Sequence, residues 1–212
     1  MNMGHPLERK PGENGVIHVL DDDASVRTAL TRLLSAVGYE VRAHATAASY
    51  LLQPVADGPN CLILDVRMPE ASGLEIQDAL ARLRVNVPII FLTGHGDIPM
   101  SVRAMRAGAS DFLTKPVKRE QLLAAVRLAL AAQTAANVDR TQHGELRARF
   151  ECLTAREREV FDGVVAGKLN KQIAAQLRIA ERTVKAHRSQ VMEKMQADSV
   201  ADLVRQAEHL RK

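Results

Sequence analysis

The first 130 residues alternate short apolar runs with longer amphipathic segments, and this alternation constrains the fold more than any other feature of the chain. Buried strands are predicted where Val, Ile, Leu or Phe cluster, at 16–20, 61–64, 88–92 and 111–113, with a weaker strand at 40–43. Helices are predicted where apolar residues recur at helical spacing, at 25–37, 46–52, 74–83, 98–107 and 121–132. Strand–helix repeats of this kind predict an α/β domain with a doubly wound parallel sheet.

The strand pattern stops near residue 134, where the composition turns to Ala, Gln, Asn and Thr. This stretch predicts a linker or a continuation of the preceding helix. Four short helices are predicted after it, and the first has a capping-box pattern in which Glu157 follows Thr154. The predicted organisation is an N-terminal tail (1–15), an α/β domain (16–133), a linker (134–149) and a small all-α domain (150–212).

The composition excludes several functional classes. The chain has no Trp, two Tyr and four Phe, so binding of single-stranded nucleic acid by base stacking is not expected. Cys61 and Cys152 are too few for a disulfide framework. No apolar run approaches the roughly 18 residues of a membrane helix, and the N-terminus lacks the apolar core of a signal peptide. We therefore expect a soluble, cytoplasmic protein that does not bind membranes.

The formal net charge of +4 is unevenly placed along the chain. Residues 1–133 carry 14 basic and 14 acidic side chains, whereas residues 134–212 carry 15 and 11. Between Gly163 and Lys194 there are seven Lys or Arg and two Glu. Such a concentration is typical of a surface that meets a polyanion.

Polar side chains follow the predicted strands at the point where each strand ends, namely Asp21, Asp22 and Asp23, then Asp65, Thr93 and Lys115. Ligands of an open parallel sheet bind at this carboxyl edge. Several carboxylates at one edge would repel one another unless a divalent cation were present, and an all-oxygen set suits Mg²⁺. A hydroxyl and an ammonium group beside them suit a phosphoryl group.

Four segments resemble the receiver domain of two-component response regulators, most closely the FixJ type. They are Val19-Leu20-Asp21-Asp22-Asp23, Leu64-Asp65-Val66-Arg67-Met68-Pro69 with Gly73, Leu92-Thr93-Gly94-His95-Gly96 and Phe112-Leu113-Thr114-Lys115-Pro116. The resemblance covers residues 16–132 and implies a CheY-like receiver fold. It also implies a cis peptide bond between Lys115 and Pro116.

The resemblance implies roles for the acidic residues. Asp65 accepts a phosphoryl group from a sensor histidine kinase. Asp22 and Asp65 bind Mg²⁺ together with the backbone carbonyl of Arg67, and Asp21 completes the acid pair. Asp23 lies outside this set and is expected to cap a helix.

The remaining receiver positions are implied to sense the phosphoryl group. Lys115 neutralises its oxygens, Thr93 turns towards it, and Phe112 follows as the aromatic switch residue. By resemblance, Arg67 and His95 flank the attacking water and tune the lifetime of the acyl phosphate.

The basic segment near residue 185 predicts an amphipathic helix. On a helical wheel, Val184, Val191 and Met195 share one side, which predicts a core face. Lys185, Ala186 and Ser189 lie on the opposite side and offer small or hydrogen-bonding groups. A helix of this kind, preceded by a short helix and a turn, suits the major groove of DNA.

Residues 153–204 resemble the LuxR/NarL-type helix-turn-helix domain. The matching segments are Leu153-Thr154-Ala155-Arg156-Glu157-Arg158-Glu159-Val160, Asn170-Lys171-Gln172-Ile173-Ala174 and Arg182-Thr183-Val184-Lys185-Ala186-His187-Arg188. The resemblance implies that Lys185, Ala186 and Ser189 approach base edges. It implies contacts to phosphates for Asn170, Lys171, Thr183 and Arg188.

These observations predict a response regulator in which phosphorylation of Asp65 switches dimerisation and binding to promoter DNA. The bound protein would regulate transcription, and more specifically activate it. By resemblance, Val102 and Arg106 contact the second copy in the homodimer, and RNA polymerase is a further partner. The chain would catalyse only its own phosphoryl transfer and dephosphorylation.

Two alternatives remain open. One is a constitutive DNA-binding transcription factor with a non-switching receiver. The other is a Mg²⁺-dependent phosphohydrolase, which would need a second acid where Arg67 stands.

Overall fold

The computed structural model of the chain describes residues 15–53, 58–94 and 98–211. The chain divides into two compact units, Met1–Asn137 and Val138–Lys212. Apart from Gly15, the predicted N-terminal tail lies outside the described residues, and so does His95. Among the described residues, no helix is both long and apolar enough to span a membrane.

The first unit contains a five-stranded, fully parallel sheet in the order β2-β1-β3-β4-β5. Its strands are β1 (Val16–Leu20), β2 (Glu40–His44), β3 (Asn60–Asp65), β4 (Ile89–Thr93) and β5 (Asp111–Thr114). The central strands are continuous apolar runs because both faces of the sheet are covered by helices. The predicted α/β fold with a doubly wound parallel sheet is confirmed.

Helices pack on the two faces of the sheet and build two separate cores. One core joins Ile17 and Ile63 of the sheet to Leu34 of α1 (Ala24–Ser35) and Val126 of α5 (Arg119–Glu151). The other core contains Leu64 and Phe91, which alternate with the first set along their strands. Its helices are α2 (Ala47–Leu51), α3 (Gly73–Arg82) and α4 (Ile98–Arg106). Since parallel strands end at one edge, this layering gathers the polar residues that follow β1, β3, β4 and β5.

Helix α5 is much longer than the predicted segment at 121–132. It continues to Glu151 through residues 134–149, where the composition was compatible with either a linker or a continued helix. The physical reason is local: Ala, Gln, Glu and Arg are good helix formers, and the stretch has no proline. Gly144 lies within the helix, where one glycine costs about 1 kcal/mol and does not break it.

The second unit is all-α, with α6 (Ala155–Val165), α7 (Asn170–Leu177), α8 (Glu181–Met195) and α9 (Val200–Leu210) after the end of α5. Its core centres on Val160, Phe161, Ile173, Val184 and Leu203. Helix α6 begins with the predicted capping box, in which the Thr154 hydroxyl accepts from the Glu157 backbone and the Glu157 carboxylate accepts from the Thr154 backbone. The predicted small helical domain is thus confirmed as a fold.

Candidate functional site

Three carboxylates converge at the carboxyl edge of the sheet, from Asp21 and Asp22 after β1 and from Asp65 at the end of β3. One ligand oxygen from each lies within 4.8 Å of the others. They meet because β1 and β3 are neighbouring parallel strands. Asp21 is buried, Asp65 is half-buried and Asp22 is exposed, so this acidic cluster opens to solvent on the Asp22 side.

The Lys115 ammonium bridges two members of the acidic cluster. Its Nζ lies 2.6 Å from Asp21 Oδ2 and 3.1 Å from Asp65 Oδ2. Burial by itself would lower the pKa of Lys115, but hydrogen bonds and charge from Asp21 and Asp65 outweigh burial and raise that pKa above its usual value. Lys115 therefore stays protonated and neutralises part of the acidic charge. The peptide bond to Pro116 is cis, as the resemblance implied.

The turn from β1 into α1 is held by several hydrogen bonds. The Asp23 side chain accepts from the Ser25 backbone at 2.7 Å and caps α1, which confirms its predicted role. Asp21 Oδ1 accepts from the Asp23 backbone at 2.9 Å. Arg27 Nη1 donates to the Asp21 carbonyl at 2.7 Å, a contact that the sequence analysis missed because Arg27 lies on an amphipathic helix face like any other surface arginine.

The turn after β3 is shaped by close packing. The Arg67 backbone donates to Asp65 Oδ1 at 3.4 Å, which is a weak contact. Gly73, at the start of α3, approaches so closely that a Cβ there would lie 2.4 Å from the Asp65 carbonyl oxygen. Its backbone N–H donates to the Val66 carbonyl at 2.9 Å. Glycine is needed at this position because α3 begins directly against the Asp65 backbone.

The donor set of the acidic cluster fits a magnesium ion. Three carboxylates are hard oxygen donors, and Mg²⁺ binds through a few carboxylates while keeping some of its waters. Among the described residues, no other group of three or more His, Cys, Asp or Glu side chains brings its ligand atoms together in this way. The exposed side at Asp22 would leave room for waters and a phosphoryl oxygen.

Thr93 and Phe112 lie on neighbouring strands beside the cluster. Thr93 is buried at the end of β4, and its carbonyl accepts from the Lys115 backbone at 2.8 Å. Phe112 on β5 is half-buried, and its ring centroid lies 6.0 Å from that of Phe91. A half-buried ring at the rim of the core can change its exposure with little disturbance of the sheet.

Helix α4 carries an exposed apolar stripe. Ile98, Val102 and Met105 are 79%, 42% and 46% exposed, and they share one side of the helix. Arg106 is also exposed. Val102 and Arg106 were predicted to be exposed dimer contacts, whereas the exposure of Ile98 and Met105 was not expected, because an apolar residue on a helix normally predicts the core.

In the second unit, helix α8 has the two faces that the helical wheel predicted. Val184, Val191 and Met195 are fully buried, which confirms the core face. The opposite face is exposed, at Lys185, Ala186 and Ser189. Lys185 makes one contact with a charged group, Glu181 Oε1 at 3.8 Å, across a largely exposed pair. Such a pair is weak, so the ammonium is available to another anion.

Two of the residues assigned to DNA phosphates contact each other. Arg188 Nη1 donates to Asn170 Oδ1 at 3.0 Å and links α8 to the start of α7. Lys171, next to Asn170, is exposed, and Thr183, on the same helix as Arg188, is half-buried.

A second link in this unit, which was not predicted, is the ion pair of Lys194 with the buried Glu157 at 2.7 Å. The pKa of Glu157 is lowered mainly by the hydrogen bond that its carboxylate accepts from Lys194, and to a lesser extent by the one that it accepts from the Thr154 backbone.

Comparison with known proteins gives a consistent picture for both units. Residues 17–127 match the response regulator receiver domain family, and residues 151–207 match the luxR family of bacterial regulatory proteins. The chain is 45% identical over 214 residues to the response regulator protein TmoT of Ectopseudomonas mendocina, covering 97% of each chain. It is 42% identical over 191 residues to the transcriptional regulatory protein FixJ of Rhizobium meliloti, covering 90% of this chain and 94% of the relative. Among solved structures, the response regulator StyR matches with a TM-score of 0.84 and 42% identity, over 91% of this chain and 98% of that one.

Proposed function

The chain belongs to the two-component response regulators that combine a receiver domain with a LuxR-family DNA-binding domain, and from this we propose that phosphorylation of Asp65 switches its dimerisation and DNA binding. The observation that carries the proposal is the acidic cluster, with three carboxylates within 4.8 Å and the Lys115 ammonium against two of them. The proposed parts are an N-terminal tail (1–15), a receiver domain (16–133), a connecting segment (134–149) and a DNA-binding domain (150–212).

In the proposed reaction, a carboxylate oxygen of Asp65 attacks the phosphorus of a phosphohistidine on a sensor kinase. A phosphorus–oxygen bond to Asp65 forms while the phosphorus–nitrogen bond breaks, and the departing imidazole nitrogen takes up a proton. Lys115 orients Asp65 before the reaction and then neutralises a phosphoryl oxygen. Such a transfer needs positioning and charge neutralisation more than covalent help from the protein.

Receiver domains generally bind Mg²⁺ at their acidic pocket, and here Asp21, Asp22, Asp65 and the Arg67 carbonyl would hold it. The ion would supply positive charge to the phosphoryl oxygens. The buried Asp21 keeps Lys115 in place by its 2.6 Å contact, while the exposed Asp22 stays accessible to the ion.

Loss of the phosphoryl group is the second reaction that we assign to the chain. Water attacks the phosphorus, the bond to Asp65 breaks, and inorganic phosphate leaves. Arg67 and His95 are proposed to tune this rate from beside the water. The family is one of DNA-binding regulators and not of conventional enzymes, so turnover of an external substrate is not part of the proposal.

The switch is proposed to run from Thr93 to Phe112. Thr93 would donate its hydroxyl proton to a phosphoryl oxygen, and Phe112 would rotate inward into the space that Thr93 leaves. Phe112 packs against the core that contains Ala104 of α4. The apolar stripe of α4, at Ile98, Val102 and Met105, is exposed in this structure. Burial of that stripe against a second copy, with Arg106 at its rim, would stabilise the homodimer.

A homodimer would present two copies of α8 to paired half-sites in promoter DNA. Lys185, Ala186 and Ser189 are proposed to face base edges, and their exposure supports this assignment. Asn170, Lys171, Thr183 and Arg188 are proposed to fix the domain on the phosphates. Recruitment of RNA polymerase would then make the protein an activator of transcription.

Phosphorylation can be tested with a small acyl phosphate and Mg²⁺. We expect the wild type to gain one phosphoryl group and to shift from monomer to dimer, measured by intact-mass spectrometry and light scattering. Asp65→Asn should do neither, because an amide is a poor nucleophile. A wild type that dimerises and binds its promoter equally well without phosphate would instead support the constitutive transcription factor.

The DNA-binding assignment needs its own test. We expect Lys185→Ala to weaken binding to the cognate site by more than it weakens binding to random DNA, by about 1–3 kcal/mol of specificity. Lys171→Ala should weaken both equally and reduce the salt dependence. Equal losses on both kinds of DNA for Lys185→Ala would make Lys185 a phosphate contact and refute its assignment to a base edge.

A further inference from the structure

The second unit contains a groove lined by side chains of α5 and α9 that the proposed function does not use. Its volume is about 390 Å³, and its lining includes Asp139, His143 and Glu145 from α5 and Gln206 and His209 from α9. The two imidazole rings meet edge to face, with centroids 5.4 Å apart. The groove therefore brings two nitrogen ligands from different helices next to each other.

The hydrogen bonds of His143 define which of its nitrogens can bind a metal. His143 Nδ1 lies 3.0 Å from the Asp139 backbone carbonyl and 3.4 Å from Asp139 Oδ1. A carbonyl oxygen only accepts hydrogen bonds, so Nδ1 carries the proton and Nε2 of the neutral ring keeps its lone pair. Histidine ligands of metals are held in this way, with the other ring nitrogen donating to a carbonyl or carboxylate. His143 is thus already in the tautomer that binds a metal through Nε2.

The surroundings of the histidine pair add oxygen donors and negative charge. Gln206 lies one turn before His209, and its Oε1 is buried without a hydrogen-bond partner among the described residues. Asp139 and Glu145 bring carboxylates to the groove. The one lining cation, Arg149, is engaged with Glu145 at 3.9 Å and with the Met195 carbonyl at 3.2 Å.

We infer that His143 and His209 form a binding site for a divalent transition-metal ion of the Zn²⁺ class, with Asp139 orienting His143. Imidazole nitrogens favour such ions over Mg²⁺, which prefers oxygen. On a tetrahedral ion, two ligand nitrogens lie roughly 3.3 Å apart. The exposed His209 ring can reach that spacing by rotating about its side-chain bonds, while the Asp139 carbonyl holds the half-buried His143 ring, and waters complete the coordination. A bound ion ties α9 to the last part of α5 and stabilises the folded unit, because the unfolded chain does not hold the two ligands together.

The site is tested by titrating the untagged, full-length protein with Zn²⁺ in a calorimeter. Excess Mg²⁺ is present to occupy the acidic cluster. We expect one Zn²⁺ per chain, and at least a tenfold weaker affinity in His143→Phe and in His209→Phe, since phenylalanine keeps the ring contact but has no ligand atom. Asp139→Ala should weaken binding less than either Phe variant, because it removes the carboxylate contact at 3.4 Å but keeps the backbone carbonyl that holds His143 Nδ1 at 3.0 Å.

Two matched controls separate this site from others. His187→Gln, on α8 of the same unit, and Asp65→Asn, in the acidic cluster, should leave the titration unchanged. Nitrogen chemical shifts of the wild-type histidines give a readout that needs no variant, and Nε2 of His143 should shift as Zn²⁺ is added. The inference is overturned if the wild type binds no Zn²⁺, if either Phe variant keeps the affinity, or if Asp65→Asn abolishes it. The last outcome would assign the ion to the acidic cluster.

Discussion

Arg27 Nη1 donates a hydrogen bond of 2.7 Å to the backbone carbonyl of Asp21, and this bond fixes the turn that carries Asp22. The Asp22 carboxylate is exposed and has no hydrogen-bond partner among the described residues. Its position beside Asp65 is therefore set by the backbone alone. Arg27 is a positioning residue for the acidic cluster, although its side chain is on α1.

Replacing Arg27 should weaken Mg²⁺ binding. Arg27→Met keeps most of the aliphatic side chain but removes the donor, and loss of one such hydrogen bond costs about 1 kcal/mol, or roughly fivefold in affinity. Arg32→Met is the matched control, because Arg32 is on the same helix and is exposed. Calorimetric Mg²⁺ titrations compare the two. Equal affinities for Arg27→Met and the wild type would show that the turn holds its shape without the arginine.

A methyl group at Gly73 should disrupt the acidic cluster. The new Cβ would meet the Asp65 carbonyl at 2.4 Å and the Val66 Cα at 3.1 Å, and backbone atoms cannot rotate away. We expect Gly73→Ala to destabilise the protein by roughly 1–3 kcal/mol and to lower phosphorylation of Asp65. Gly144→Ala is a useful contrast, because Gly144 lies in α5 with nothing within 4 Å of a new Cβ. That variant should be about 0.5–1 kcal/mol more stable in a urea melt. If Gly73→Ala unfolded like the wild type, α3 would have to be free to move away from Asp65.

Acid should destabilise the first unit through a buried pair of histidines. His18 Nδ1 lies 3.1 Å from His44 Nε2, and both rings contact Tyr50 edge to face. Burial, followed by the charge of His44, lowers the pKa of His18 to about 4, and burial also lowers the pKa of His44. Between pH 6.5 and 4 the unfolded chain therefore binds more protons than the folded chain. The free energy of unfolding should fall as the pH drops through that window, by up to about 1.4 kcal/mol per pH unit for each histidine.

Unfolding by urea between pH 7 and 5 measures this loss. The stability that the histidines contribute is fully present above pH 6.5. His18→Leu should show a shallower dependence on pH than the wild type, because its unfolded chain has one histidine fewer to protonate in this window. Identical slopes for His18→Leu and the wild type would mean that carboxylates alone account for acid unfolding.

The contact between Arg188 and Asn170 should make their contributions to DNA binding interdependent. Each residue orients the other at 3.0 Å, so removing either one disturbs both proposed phosphate contacts. We expect the losses in Arg188→Ala and Asn170→Ala to be non-additive by about 1 kcal/mol in a double-mutant cycle of DNA affinity. Lys171→Ala combined with Arg188→Ala serves as the additive control. An additive result for Arg188 and Asn170 would show that the two residues act separately on DNA.

Much of the architecture could be predicted from the sequence. β1 is where its apolar run predicted it, and the other strands differ from their predicted bounds by one residue at one or both ends. These elements are set by local patterns, because a buried strand needs a continuous apolar run and a helix needs apolar residues on one side. The end of α5 was not predicted, since the change of composition at residue 134 introduces no proline and leaves enough Ala, Gln, Glu and Arg for the helix to continue through Gly144.

The polar residues at the strand ends illustrate what could be predicted from the order of residues along the chain and what required the tertiary structure. Their order along the chain placed Asp21, Asp65 and Lys115 at one edge of the sheet, because parallel strands end together. The sequence by itself thus determined the fold class, the acidic edge, and the division of α8 into a buried side and an exposed side. Three contacts were decided only by the tertiary structure: the hydrogen bond from Arg27 to the Asp21 carbonyl, the close approach of Gly73 to the Asp65 backbone, and the edge-to-face contact of His143 with His209. Each of these contacts depends on distances between separate elements, and hydrophobic periodicity carries no information about those distances.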